Sequence, residues 1–67
     1  MSQFSVFKDI VKVQGNLNFY LGRINLTTNK KLAIEYFKKA KFMFSKIYKK
    51  DNPVFSTIED AIKLAEK

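Results

Sequence analysis

The side chains that could carry chemistry in this chain are carboxylates, amines and hydroxyls, because its 67 residues include no histidine and no cysteine. Structural zinc, a disulfide framework and thiol chemistry are therefore excluded. Two acids, Glu59 and Asp60, are adjacent, but on a helix they would point about 100° apart and would not converge on one atom. They are explained more simply as a solvated face near a helix N-terminus. We expect no enzymatic activity and no cofactor, metal ion or small-molecule substrate.

Positive charge concentrated in one segment is the stronger chemical signal. Residues 30–50 contain eight lysines against one acid, Glu35, so this segment alone carries +7, the net charge of the whole chain. The residues before it contribute +2 and those after it −2, so the surplus is local. A local surplus of this kind favours a surface that meets an anionic partner.

The basic segment also has the apolar spacing of a helix, predicted over roughly residues 30–50. Its apolar residues recur every three or four positions and keep one side turned towards a neighbour. They are Ala33, Phe37, Ala40, Phe44 and Ile47. With that stripe inward, Phe42 points nearly opposite and has lysines as its three- and four-residue neighbours. We predict a partner-binding surface made of Lys38, Lys39, Phe42, Lys46 and Lys49.

An exposed phenylalanine among lysines has three explanations. Phe42 is covered by another copy of the chain, by a different protein, or by nothing at all. The third explanation stands beside the other two because single exposed apolar residues are common on protein surfaces. The sequence leaves all three open.

The first segment is also periodic and predicts a helix over roughly residues 3–26. Its main apolar stripe consists of Val6, Ile10, Val13, Leu17, Tyr20 and Ile24. The stripe continues past Gly15, which leaves open one long helix or two helices that meet there, because a helical glycine costs only about 1 kcal/mol. Other apolar residues lie off this stripe: Phe4, Phe7, Val11, Phe19 and Leu21. A helix that is apolar on two sides is either central in a bundle or part of an interface, and self-association or docking would relieve a marginal core.

Polar residues mark the boundaries between the helices. Thr28 or Asn29 can cap the second helix. Asn52 and Pro53 suit the N-cap and first position of a third helix, predicted over roughly residues 53–66. A competing capping box for this third helix is Ser56 with Glu59. Short connections make consecutive helices antiparallel. We therefore expect one all-α domain over residues 1–67, a small up-down-up three-helix bundle.

Residues 17–41 resemble a tetratricopeptide repeat. That pattern places a Leu-Gly pair in one helix, followed in the next helix by alanine, an aromatic residue and alanine at spacings of four and three. The matching residues are Leu21, Gly22, Ala33, Phe37 and Ala40. The resemblance implies a close helical hairpin in which Phe37 fills the space between small residues. The chain departs from the pattern in a turn one residue short, in Asn25 at a usually aromatic position, and in a second helix about two turns too long.

A second family offers a rival resemblance. Three-helix domains of the microtubule-interacting-and-transport type also carry alanine, an aromatic residue and alanine in the second helix. Their third helix ends in an Ala-Glu pair, here Ala65-Glu66. Both families are helical binding modules, so both imply the same general class of function.

These observations predict a small protein–protein interaction module, a regulator or adaptor whose basic helix meets an acidic and apolar partner surface or a second copy. The alternative is a basic helical protein that binds nucleic acid non-specifically through lysines, which a pI near 9.8 favours. Arginine makes many of the specific contacts with bases, and this chain has a single arginine, Arg23, which weighs against sequence-specific recognition. No membrane span is expected, because no apolar run approaches the roughly 20 residues that a bilayer requires. Binding to a membrane surface is not expected either, because the apolar stripe is needed for the core. The N-terminus lacks the pattern of a secretory signal, and we expect a cytoplasmic protein.

Overall fold

The fold is three helices in a row. A computed structural model describes residues 3–67, with side chains from Val6 onward, so Phe4 lies outside the described side chains. The helices are α1 (Gln3–Asn25), α2 (Lys30–Phe44) and α3 (Pro53–Glu66). The predicted all-α class is confirmed. α1 packs on α2 and α2 packs on α3, so α2 lies in the middle. The Cα atoms span 43 × 22 × 12 Å. The 22 Å width suits three helices side by side at interaxial distances of roughly 8–10 Å.

α1 is a single helix that passes through Gly15 without a break. Gly15 and Gly22 each lie directly against a ring of α2. A methyl group added to Gly15 would stand 2.7 Å from the Phe44 ring, and one added to Gly22 would stand 2.6 Å from the Phe37 ring. Carbon atoms in contact prefer roughly 3.5–4.0 Å, so only a residue without a side chain fits at these two positions. The glycines let the α1 backbone approach the two rings directly.

The two ring–glycine contacts also fix the register of the hairpin. The glycines are seven residues apart on α1, and the rings are seven residues apart on α2. The later glycine meets the earlier ring, so α1 and α2 run antiparallel. A seven-residue step is close to two helical turns, so each pair repeats on one face of its helix.

The side of α1 that packs on α2 differs from its apolar stripe. Val11, Gly15 and Gly22 are buried and Phe19 packs against the core, while every member of the stripe is exposed. The exposed fractions run from 48% at Val6 to 65% at Val13. Val11 and Phe19, which lie off the stripe, therefore belong to the packed side of α1, and α2 rather than α1 is the central helix.

The core stripe predicted for α2 is confirmed. Four of its residues are buried, with exposures of 3% or less, and the fifth packs partly buried against them. The four are Ala33, Phe37, Ala40 and Phe44, and the fifth is Ile47. α3 completes the core with Phe55, Ile58 and Ala65. Phe19 of α1 contacts Phe37 at 5.4 Å between ring centroids, so aromatic rings supply much of this small core.

α2 ends at Phe44, six residues before the end that the sequence predicted. The hydroxyl of Ser45 donates a 2.6 Å hydrogen bond to the carbonyl of Phe42 and competes with the helical ladder. The next backbone bonds tighten to a three-residue spacing, with the N–H of Lys46 donating to Met43 and that of Ile47 to Phe44. Residues 45–52 are then turns. The second helix is therefore not two turns longer than the repeat pattern.

The helix starts follow the sequence signals. The Asn29 side chain accepts from the backbone N–H of Leu32 at 3.1 Å and caps α2. The Asn52 side chain accepts from the N–H of Val54 at 2.9 Å, ahead of a helix that begins at Pro53. Each cap satisfies an N–H group that has no partner within its helix. The competing box at Ser56 is not the start of α3. Across residues 3–67, no helix is both long enough and apolar enough to traverse a bilayer.

We expect Phe37→Ala to lower the free energy of unfolding by roughly 3–5 kcal/mol, because a fully buried ring is lost and leaves a cavity. Chemical denaturation followed by circular dichroism measures the change. A loss below about 1 kcal/mol would contradict the hairpin register.

We expect Gly22→Ala to destabilise the fold by about 1–3 kcal/mol, because its methyl group overlaps the Phe37 ring. At an unobstructed helical position, the same change would stabilise by about 1 kcal/mol. The sign of the change in a denaturation midpoint is therefore diagnostic. As a control, Gly22→Ala should destabilise less in a Phe37→Leu background than in the wild type, since the smaller side chain leaves room for the methyl group. Equal effects of Gly22→Ala in both backgrounds would show that the ring is not the obstacle.

Candidate interaction surface

The outward side of α2 carries the residues predicted to bind a partner. Phe42 is 63% exposed and points away from the buried Phe37 and Phe44. The helical phase predicted for Phe42 is therefore confirmed, while its role in binding stays a prediction. A phenyl ring left in water at this level is available for burial by a partner, and burying a phenylalanine side chain contributes about 1.5–3 kcal/mol.

Phe42 and Lys46 form the centre of this surface. The Nζ atom of Lys46 lies 4.9 Å from the centroid of the Phe42 ring, a cation–π contact. Lys46 follows Phe42 by four residues, the spacing that the sequence predicted for neighbours on this side of the helix. The contact places a positive charge directly beside the apolar ring.

Lys38 and Lys39 share the exposed side of α2 with Phe42. They precede it by four and three residues, which makes them its neighbours along the helix surface. Both are exposed. The Lys39 ammonium lies 5.5 Å from the centroid of the Tyr36 ring and so leans back along the helix. Glu35, also exposed, lies one turn before these two lysines and offsets part of their charge.

Lys49 lies outside the helix. The sequence placed it on the same face by continuing α2 to Lys50, but it lies in the turns that follow Phe44. Its helical spacing from Phe42 therefore no longer applies. Of the predicted surface residues, Phe42 and Lys46 are in contact. Lys38 and Lys39 lie on the exposed side of α2, as predicted. Lys49 lies on the segment that connects α2 to α3.

Sequence reasoning missed a groove between the end of α2, the connecting turns and α3. It has a volume of about 450 Å³ and is lined by Lys41, Ser45, Tyr48, Lys50, Phe55 and Glu59. Lys41 and Glu59 form an ion pair of 3.0 Å across its rim. Glu59 is thus a partner of α2 rather than an isolated acid. The pairing of two residues 18 positions apart leaves no local signal in the sequence.

Comparison with protein-family models, curated proteins and solved structures found no match to this chain.

We expect Phe42→Ala to change the free energy of unfolding by less than about 1 kcal/mol, because the residue is 63% exposed and its ring is mostly in water. Thermal and chemical denaturation beside Phe37→Ala make a matched test, since both variants lose the same side chain from the same helix. A destabilisation similar to that of Phe37→Ala would place Phe42 in the core.

Proposed function

We propose that this chain is a small protein–protein interaction module, a cytoplasmic regulator or adaptor that engages an acidic and apolar surface through α2. The observation that carries the proposal is the exposed Phe42 ring with the Lys46 ammonium 4.9 Å from its centroid. Lys38 and Lys39 extend the positive charge along the same helix. Lys49 belongs to the surface only if a partner reaches the turn after α2.

In this proposal, the Phe42 ring and the lysines contribute to binding in different ways. An aromatic side chain buried at the centre of an interface commonly supplies much of its binding energy. Exposed charges around it mainly speed the encounter and reject partners of like charge. A partner with a pocket for Phe42 and carboxylates around that pocket would use both.

The tetratricopeptide-like resemblance supports the same class of function. Its characteristic small residues have the roles that a close hairpin needs, with Gly22 against Phe37 and with Ala33 and Ala40 fully buried. The microtubule-interacting-and-transport type of domain remains the rival resemblance. Since members of both families bind other proteins, the proposal does not depend on which resemblance holds.

Non-specific nucleic-acid binding is the second candidate, favoured by the net charge of +7. Lysines would contact phosphates and would read no sequence. This candidate assigns no role to the Phe42 ring in duplex binding, which makes Phe42 the residue that separates the two functions.

The test is capture of partners from a lysate of the source cells, with and without nuclease, by the wild type, Phe42→Ala and Leu64→Ala. Leu64 is an apolar residue of α3 that is 57% exposed, so its variant controls for the loss of an exposed apolar side chain elsewhere. We expect a nuclease-resistant protein that Phe42→Ala loses and Leu64→Ala retains. With that protein purified, added salt should chiefly slow association, because the lysines steer the encounter.

Binding of random-sequence duplex DNA by fluorescence anisotropy is the opposing measurement. Micromolar affinity at physiological salt, unchanged by Phe42→Ala, would overturn the proposal in favour of nucleic acid. In that case the log–log slope of affinity against salt should be about −0.9 per phosphate contact, and each Lys→Ala at 38, 39 or 46 should flatten it by up to one contact.

A further inference from the structure

α1 turns a continuous apolar stripe away from the rest of the molecule. Its six residues are each about half exposed or more: Val6, Ile10, Val13, Leu17, Tyr20 and Ile24. They lie on the side of α1 opposite Gly15 and Gly22, which face α2. From first to last, the stripe runs for roughly 27 Å along the helix. The three-helix fold itself leaves this stripe uncovered.

The spacing of the stripe is that of a coiled-coil seam. Its residues alternate steps of four and three, which is the repeat by which one helix packs along another. The six side chains expose on the order of 600 Å², the upper end of the largest apolar patch on a typical monomer and most of the roughly 800 Å² per partner of a standard interface. The chain is also short, so its own core is small.

The stripe is symmetric about Gly15. If a second α1 is laid against it antiparallel, with the two Gly15 positions level, Val6 of one copy meets Ile24 of the other. In the same arrangement Ile10 meets Tyr20, and Val13 meets Leu17. Each apolar residue of the stripe therefore has an apolar counterpart, and none is left over at either end. Self-complementarity of this kind is what a two-fold symmetric interface requires.

The residues beside the stripe have the same symmetry. On one flank, Asp9 of one copy lies beside Arg23 of the other. The two-fold symmetry repeats this pair, so the dimer contains it twice. On the opposite flank, Phe7 falls beside Leu21. Asp9 and Arg23 are both exposed, and they are the charged residues on these flanks. Their opposite charges cancel, so the surface is neutral, whereas the chain as a whole carries +7. A neutral, apolar and self-complementary surface on a basic protein fits a second copy better than an acidic partner or an anionic lipid surface.

We propose that two copies of this chain form an antiparallel homodimer through the exposed stripe of α1. The pairing lies on the far side of α1 from α2, so it leaves Phe42 and its lysines free. The dimer would present two such surfaces. The dimer proposal does not depend on the function proposed for the Phe42 surface. The substitutions that test the dimer leave that surface unchanged.

The first test is the mass in solution of the wild type, Leu17→Glu and Leu64→Glu. Both leucines are helical and similarly exposed, at 54% and 57%, but only Leu17 belongs to the stripe. Sedimentation equilibrium over roughly 1 μM to 1 mM gives the dissociation constant. We expect the wild type and Leu64→Glu to reach twice the 7.8 kDa chain mass and Leu17→Glu to remain at 7.8 kDa with unchanged helical circular dichroism.

The second test measures how charge-reversal variants change the dissociation constant of the dimer, which depends on the antiparallel register. Asp9→Lys and Arg23→Glu alone each place like charges together at both ends of the dimer, and each should raise the dissociation constant by roughly tenfold at low salt. Mixing the two variants should restore wild-type affinity, because every flanking pair in the heterodimer is then opposite in charge. Thermal denaturation of each single variant shows whether the fold is kept.

A wild type that stays at 7.8 kDa throughout this range would overturn the proposal, whatever else binds the stripe. Equal dissociation of Leu17→Glu and Leu64→Glu would overturn it as well, by placing the interface elsewhere. A dimer that responds to Leu17→Glu but gains nothing from mixing the charge variants would overturn the antiparallel register.

Discussion

The contact of two phenylalanine rings with two glycines determines how this chain folds. Phe37 and Phe44 lie against the α1 backbone at Gly22 and Gly15, where a methyl group would overlap the rings. Each helical glycine costs about 1 kcal/mol, and burying each phenylalanine returns about 1.5–3 kcal/mol. Two such contacts on one face fix both the closeness of α1 and α2 and the register between them. The orientation of every other side chain on α1 and α2 follows.

That constraint explains why the outward surfaces look as they do. Once the glycine side of α1 faces α2, its apolar stripe must lie on the opposite side. Once Phe37 and Phe44 face inward, Phe42 must face outward. Two phenylalanines of α2 belong to the core, and the third, Phe42, is left for water or for a partner.

The sequence predicted the inward face of α2 far better than that of α1, for a physical reason. The inward face of α2 is made of apolar residues, so their spacing revealed it directly, and Asn29 and Asn52 marked the starts of helices correctly. The inward face of α1 depends on glycines, which have no side chain and add nothing to an apolar pattern. The most regular stripe therefore belonged to the face that does not pack. The early end of α2 was also hidden, because the apolar spacing continues through Ile47, beyond the last helical residue.

The candidate surface was predictable only where its residues keep helical spacing. Phe42, Lys38 and Lys39 followed from helical spacing alone. The four-residue spacing also predicted Lys46 beside Phe42, and the two side chains are in contact. The displacement of Lys49 and the groove beside α3 depend on the path of the chain after Phe44, which no periodicity describes.

The arrangement of the helices in a single row has a consequence for cooperativity. α2 is held on both sides, whereas α1 and α3 are each held mainly by α2 in the part of the chain that the structure describes. The molecule therefore has two seams, one on each side of α2, and a single cluster of buried side chains joins them. We expect each outer helix to detach locally at a lower free energy than global unfolding, because only one seam has to open for it to do so.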